Sequence, residues 1–264
     1  MTFAKNIFKL LADSSAGKEV FMFFGLFWGD WTILLLLPAM IFALSAQVKV
    51  QSTFKKYDRV QSARRMTGAD AARRILDLNG LYHVKVEYVR GHLNDHFDPR
   101  TNTIRLSDAT YGSTSVAAIG VAAHEAGHAV QHATGYAPIK LRSAIVPMTQ
   151  FASRLSMPLF LIGLLLVGLG AIDPMIGEIM MFVGIILFSL STLFQLVTLP
   201  VEFNASKRAL ATLESSGLLY SEEVSGARAV LSAAAMTYVA ALATSLAYLL
   251  RFILIASSAS SRRR

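Results

Sequence analysis

Apolar residues fall along this chain in long uninterrupted runs and in short periodic stretches, and the two patterns predict different structure. Four runs are long enough to cross a bilayer: 31–48 (WTILLLLPAMIFALSAQV), 155–172, 175–199 and 233–256. A spanning helix needs about 20 consecutive apolar residues, and a proline such as Pro38 is tolerated inside one. The second and third runs read as a hairpin around Asp173 and Pro174, with Glu178 near the loop. Arg251 stands close enough to the end of the fourth run to be expected to snorkel to the interface.

The periodic stretches lie elsewhere. Phe3, Ile7, Leu10 and Leu11 recur at helical spacing beside Lys5 and Lys9, which predicts an interfacial amphipathic helix within 1–30. Thr67 and Asp70 form a capping box that opens a helix through about Leu78, stopped by Asn79-Gly80. Val84, Val86 and Tyr88 alternate with polar neighbours as a strand; Asp98–Asn102 reads as a turn and Thr103–Ser107 (TIRLS) as a second strand. Ser115–Ala133 reads as a small-residue-rich helix ended by Gly135. The predicted organisation is an interfacial segment (1–30), a retained membrane anchor (31–48), an α+β domain (49–154) and a transmembrane hairpin (155–199). A helical segment (200–232), a last span (233–256) and a basic tail (257–264) follow. The fold class is an α-helical integral membrane protein of about four transmembrane helices carrying an α+β domain.

Composition narrows this further. Of 264 residues 54% are hydrophobic and only 16% charged, with a mean hydropathy of +0.49. Soluble domains carry about a quarter charged residues, so a chain wholly in water is excluded, as is disorder. Cysteine is absent, which removes disulfides, thiolate metal sites and a cysteine nucleophile; any metal must be held by His and carboxylate. The net charge is +8, and residues 48–154 hold fifteen basic against eight acidic side chains. The hairpin around Asp173 has no basic residue. The positive-inside rule then puts 49–154 and 200–230 in the cytoplasm, with the hairpin and both termini outside. Basic residues are scattered beside apolar spans rather than interleaved with aromatics on one face, so the partner is the bilayer and not nucleic acid.

The candidate chemistry sits in His124-Glu125-Ala126-Gly127-His128. Residues at i and i+4 share a helix face one turn apart, so both imidazoles can converge on one Zn2+ ion, with Glu125 placed to take a proton from a water. Val121, Ala122, Ala123, Ala126 and Ala129 mark the helix as buried, where imidazoles and a carboxylate need partners. A catalytic zinc site takes three protein ligands. His132 continues the i+4 series, but a straight helix carries it about 12 Å from His124, beyond one ion. His92, Asp95 and His96 (GHLNDH) form a polar loop cluster that could touch ligands or substrate. Glu202 follows the third span directly, and Ala205, Ser206 and Ala209 beside it suit close helix packing against the HExxH helix.

The stretches MTGADAARRILDLNGL, GHLNDHFDPRTNTIRLSDATYGSTSVAAIGVAAHEAGHAVQHATGYAPIKLRSAIVP and LFQLVTLPVEFNASKRAL resemble the YugP-type bacterial membrane zinc metallopeptidases, from about Trp31 to Arg251. More distantly, HEAGH with a later EFxA box is similar to HtpX and the CAAX prenyl proteases. The resemblance implies a gluzincin-like protease domain in the bacterial inner membrane, one Zn2+ held by His124, His128 and Glu202, and Glu125 as general base. Those relatives usually carry Asp where this chain has Ser206. The implied substrate is a polypeptide, associated with the membrane, and the implied setting is membrane-protein quality control. Further contacts to the ligands or to a developing oxyanion are expected among His92, His96, His132, Tyr136, Ser206 and Arg208. TIRLS is expected to pair with an extended peptide by strand addition. Two rivals remain: a catalytically silent zinc-containing scaffold or chaperone, opposed by the intact Glu125, and metal transport, opposed by spans poor in His and acidic side chains.

Overall fold

The computed structural model describes residues 30–169 and 173–261. The interfacial helix expected within 1–30 and the arginines of the tail therefore lie outside the described residues, Asp30 apart. A 3-10 turn over Trp31–Leu35 leads into α1 (Leu36–Asp58), followed by α2 (Gly68–Leu78) and three strands, β1 (Lys85–Tyr88), β2 (His96–Asp98) and β3 (Thr103–Leu106). Then come α3 (Val116–Ala133), α4 (Ala137–Leu169), α5 (Pro174–Ser215) and α6 (Ser221–Ser261). Among the described residues, four helices are long and apolar enough to cross a membrane: 31–58, 137–169, 175–215 and 221–261. The second and third run well past the apolar stretches that announce them, with Pro147 and Pro200 absorbed inside the helices rather than ending them. The protein is a helical membrane protein with a small α+β domain.

The chain folds into two units, each assembled from segments distant in sequence. Of the described residues, the first contains 30–42, 145–169, 173–195 and 242–261. Its core is aromatic and aliphatic: Phe160 and Phe252 stack at 4.6 Å between centroids, with Phe188 edge-on to Phe252 at 5.0 Å. Leu164, Val167, Met181 and Ile255 complete it. Arg251 belongs to this unit and is covered by protein. It is 2% exposed, and its Nε donates to Thr32 Oγ1 at 3.3 Å. Asp30 caps the first turn, accepting from Thr32 N at 2.8 Å. A buried guanidinium surrounded by apolar side chains needs such acceptors close by.

The second unit contains residues 43–144 and 196–241. Thr67 caps α2 with a reciprocal box to Asp70, and Gly80, at φ +70°, lets the chain turn away beyond the cap at Asn79. Ile75 and Leu76 of α2 pack with Ile104 and Leu106 of β3, Ile119, Ala122 and Ala126 of α3, and Leu213 and Leu231 of the long helices. The sheet order is β1-β3-β2, with β1 parallel and β2 antiparallel to β3. Two expectations change here. Part of the GHLNDH stretch is a strand, since His96 pairs with Arg105. TIRLS is the central strand, so both its edges are already hydrogen-bonded and it cannot accept a peptide by strand addition. Among the described residues, the free edges belong to β1 and β2.

Candidate metal centre

Ser115 caps α3 by accepting from Ala118 N, and the helix runs unbroken from Val116 to Ala133. His124 and His128 therefore stand one turn apart on the same face, their rings edge to face at 4.6 Å. Glu202 comes to them from α5. Its Oε2 lies 3.2 Å from His124 Nε2 and 3.6 Å from His128 Nε2, and one ligand atom from each residue falls within a 4.8 Å cluster. A tetrahedral zinc with bonds of about 2.0–2.1 Å sets its ligands about 3.3 Å apart. The donor atoms already stand near that separation, and two imidazoles with a carboxylate are a set that suits zinc. These three residues could hold the ion.

The outer nitrogens of the imidazoles are held as well. His124 Nδ1 meets Ser206 Oγ at 3.1 Å. His128 Nδ1 meets Gln131 Oε1 at 3.0 Å. Gln131 spends its amide on α5, donating to Val201 O at 2.8 Å and Asn204 Oδ1 at 3.0 Å, and is fully buried. Because the amide hydrogens are committed, Oε1 must accept, so His128 Nδ1 donates and Nε2 faces the cluster. Burial works against a charged His128, but hydrogen bonding to Glu202 and the charges of Glu125 and Glu202 outweigh it and raise its pKa. A metal ion would compete with that proton.

Glu125 is 8% exposed and close enough to His128 for its charge to act there. Of the six further candidates, Ser206 alone hydrogen-bonds the triad among the described residues. His132 lies two turns beyond His124 with its ring against Phe97 at 5.9 Å. His92 packs edge-on to Phe54 at 6.3 Å, and His96 Nδ1 is 2.8 Å from Asn94 O on the exposed end of β2. Arg208 Nε donates to Asn204 Oδ1 at 2.8 Å, with its guanidinium 6.0 Å above the Tyr136 ring. Asp95 accepts from Ser107 N at 2.7 Å and Ser107 Oγ at 2.9 Å, closing the loop before β2 onto the end of β3.

Three neighbours of the site escape sequence reasoning. Gln131 stands three residues after His128, a spacing that shares a helix face and could have been read. Arg142, whose Nη1 lies 2.7 Å from Glu202 Oε1, is one more scattered cation in the sequence. Tyr238 of α6 faces both Glu202 and Glu125 across a fold that no local pattern reveals.

Comparison with known proteins agrees with the site. Residues 32–257 match the family model described as "Putative neutral zinc metallopeptidase". The chain is 49% identical over 223 residues, 84% of its own length and 95% of the relative's, to the "Putative membrane protease YugP" of Bacillus subtilis (strain 168). No solved structure matches. A family match across nearly the whole chain, joined to a His-His-Glu cluster at metal-binding separation, places this protein in the YugP-type family of membrane zinc metallopeptidases.

Proposed function

We propose that the protein is a zinc-dependent metalloendopeptidase of the bacterial inner membrane, with its site facing the cytoplasm and one ion held by His124, His128 and Glu202. The observation that carries this reading is Glu125, set between the two histidines that converge with Glu202. A purely structural site has no need of a carboxylate there. Zinc, when bound, supplies Lewis acidity that polarises a carbonyl and brings the pKa of a water to about 7. Glu125 takes the proton of the attacking water and passes it to the leaving amine. Gln131 and Ser206 hold the imidazoles in orientation, so that no rearrangement is needed when charge develops.

The substrate is a polypeptide associated with the bilayer, consistent with a role in membrane-protein quality control. An extended segment can add to the free edge of β2, which packs beside α3, in place of the closed β3. The test is Glu125→Gln, which keeps size and polarity but removes the base. Zinc stays bound and peptide hydrolysis falls by at least ~10²-fold. Variant activity within a few-fold of wild type overturns the role of Glu125. No hydrolysis by the wild type, across unfolded and membrane-bound substrates, favours the silent scaffold.

A further inference from the structure

Glu202 is the most deeply buried member of the triad, with a side chain 2% exposed. An ionised carboxylate there needs compensation on both oxygens. Oε2 faces the two histidines, and Oε1 meets Arg142 Nη1 at 2.7 Å, a short charge-assisted contact. Arg142 lies early in α4, just after the turn that ends α3. Gly135, at φ +65°, and the bond from Tyr136 N to Gln131 O at 3.0 Å make that turn tight. The helix that supplies both histidines is thus followed directly by the cation that grips the third ligand.

We propose that Arg142 is a positioning residue for Glu202: it occupies Oε1 and leaves a single oxygen, Oε2, to the metal. This rests on the metal site proposed above. A carboxylate free on both oxygens can turn and offer both to an ion, which fills the position that a catalytic site keeps open for water. With Oε1 held, Glu202 contributes one bond and the open position survives. The guanidinium also draws on the carboxylate's charge, which leaves a bound ion more electron-poor. Arg142 is about one-third exposed, so replacing it does not empty the core.

The experiment uses the full-length protein purified in detergent and loaded with Co2+, whose visible absorption reports coordination number. Wild type, Arg142→Gln and Arg142→Lys are compared by absorption spectrum and by chelator competition. The expected result in Arg142→Gln is a loss of band intensity, as coordination number rises, with metal held more tightly, since both oxygens and the undrained charge of Glu202 then face the ion. Arg142→Lys restores charge without the planar guanidinium and brings both part of the way back to wild type. A merely structural ion pair lowers the melting temperature and leaves spectrum and affinity unchanged. Superimposable spectra and equal affinities in wild type and Arg142→Gln overturn the proposal while leaving the metal site standing. A wild type that takes up no cobalt, or a His124→Ala variant that binds it as well as wild type, overturns the metal site and the proposal with it.

Discussion

A Cβ on Gly127 would stand 2.7 Å from the carbonyl oxygen of Ala205. The glycine inside the HEAGH motif is therefore where the backbones of α3 and α5 meet, one residue before His128 and opposite a residue three positions after Glu202. Real Cβ atoms do not approach a carbonyl that closely, so one helix must shift if the side chain is enlarged. That shift separates the histidines from their carboxylate.

Gly127→Ala is expected to cost about 1–3 kcal/mol of stability through overpacking. It is also expected to weaken metal binding, although alanine favours helix more than glycine does. Thermal unfolding and zinc content of the purified variant measure the two effects. A variant as stable as wild type, with full zinc, would show that the helices separate without consequence.

Glu202→Ala should purify without zinc, whereas His132→Ala should keep it. The first removes one of three donor atoms at metal-binding separation; the second removes a ring that packs on Phe97. Metal content by elemental analysis decides. The reverse pattern would falsify the ligand assignment.

Gln131→Leu preserves bulk but removes the acceptor for His128 Nδ1 and both donors to α5. The imidazole is then free to turn, and zinc affinity should fall by about 10–100-fold. Gln131→Glu keeps an acceptor for His128 and should lose less. Competition against a chromophoric chelator ranks the three proteins; equal affinities would make Gln131 a packing residue only.

The proposed sidedness rests on the basic residues after Val48 and the acidic hairpin. The chain has no cysteine, and Arg59 and Asp173 are both exposed. Single cysteines at these positions should react from opposite sides of the membrane, Asp173→Cys with an impermeant reagent in intact cells and Arg59→Cys only after lysis. Equal labelling of both in intact cells would remove the cytoplasmic assignment.

Much of this protein is local and therefore readable in one dimension. The capping box at Thr67 and Asp70, the stop at Asn79-Gly80 and the cap at Ser115 each involve groups within a few residues, whose geometry the backbone alone determines. The i, i+4 spacing of His124 and His128 belongs to the same class, as do the four long apolar helices. What lies across the fold was decided only by tertiary packing. TIRLS reads as a strand from its alternation, yet whether its edges are free depends on β1 and β2 arriving from elsewhere in the chain. Arg251 looks like any cation near a helix end until Thr32 is brought against it. The donor separations of Glu202, and its shared grip between two histidines and Arg142, arise because Gly127 admits the backbone of α5. Periodicity records which face of a helix is apolar. It carries no information about which residue another helix sets opposite, because that depends on side-chain volumes meeting across the interface.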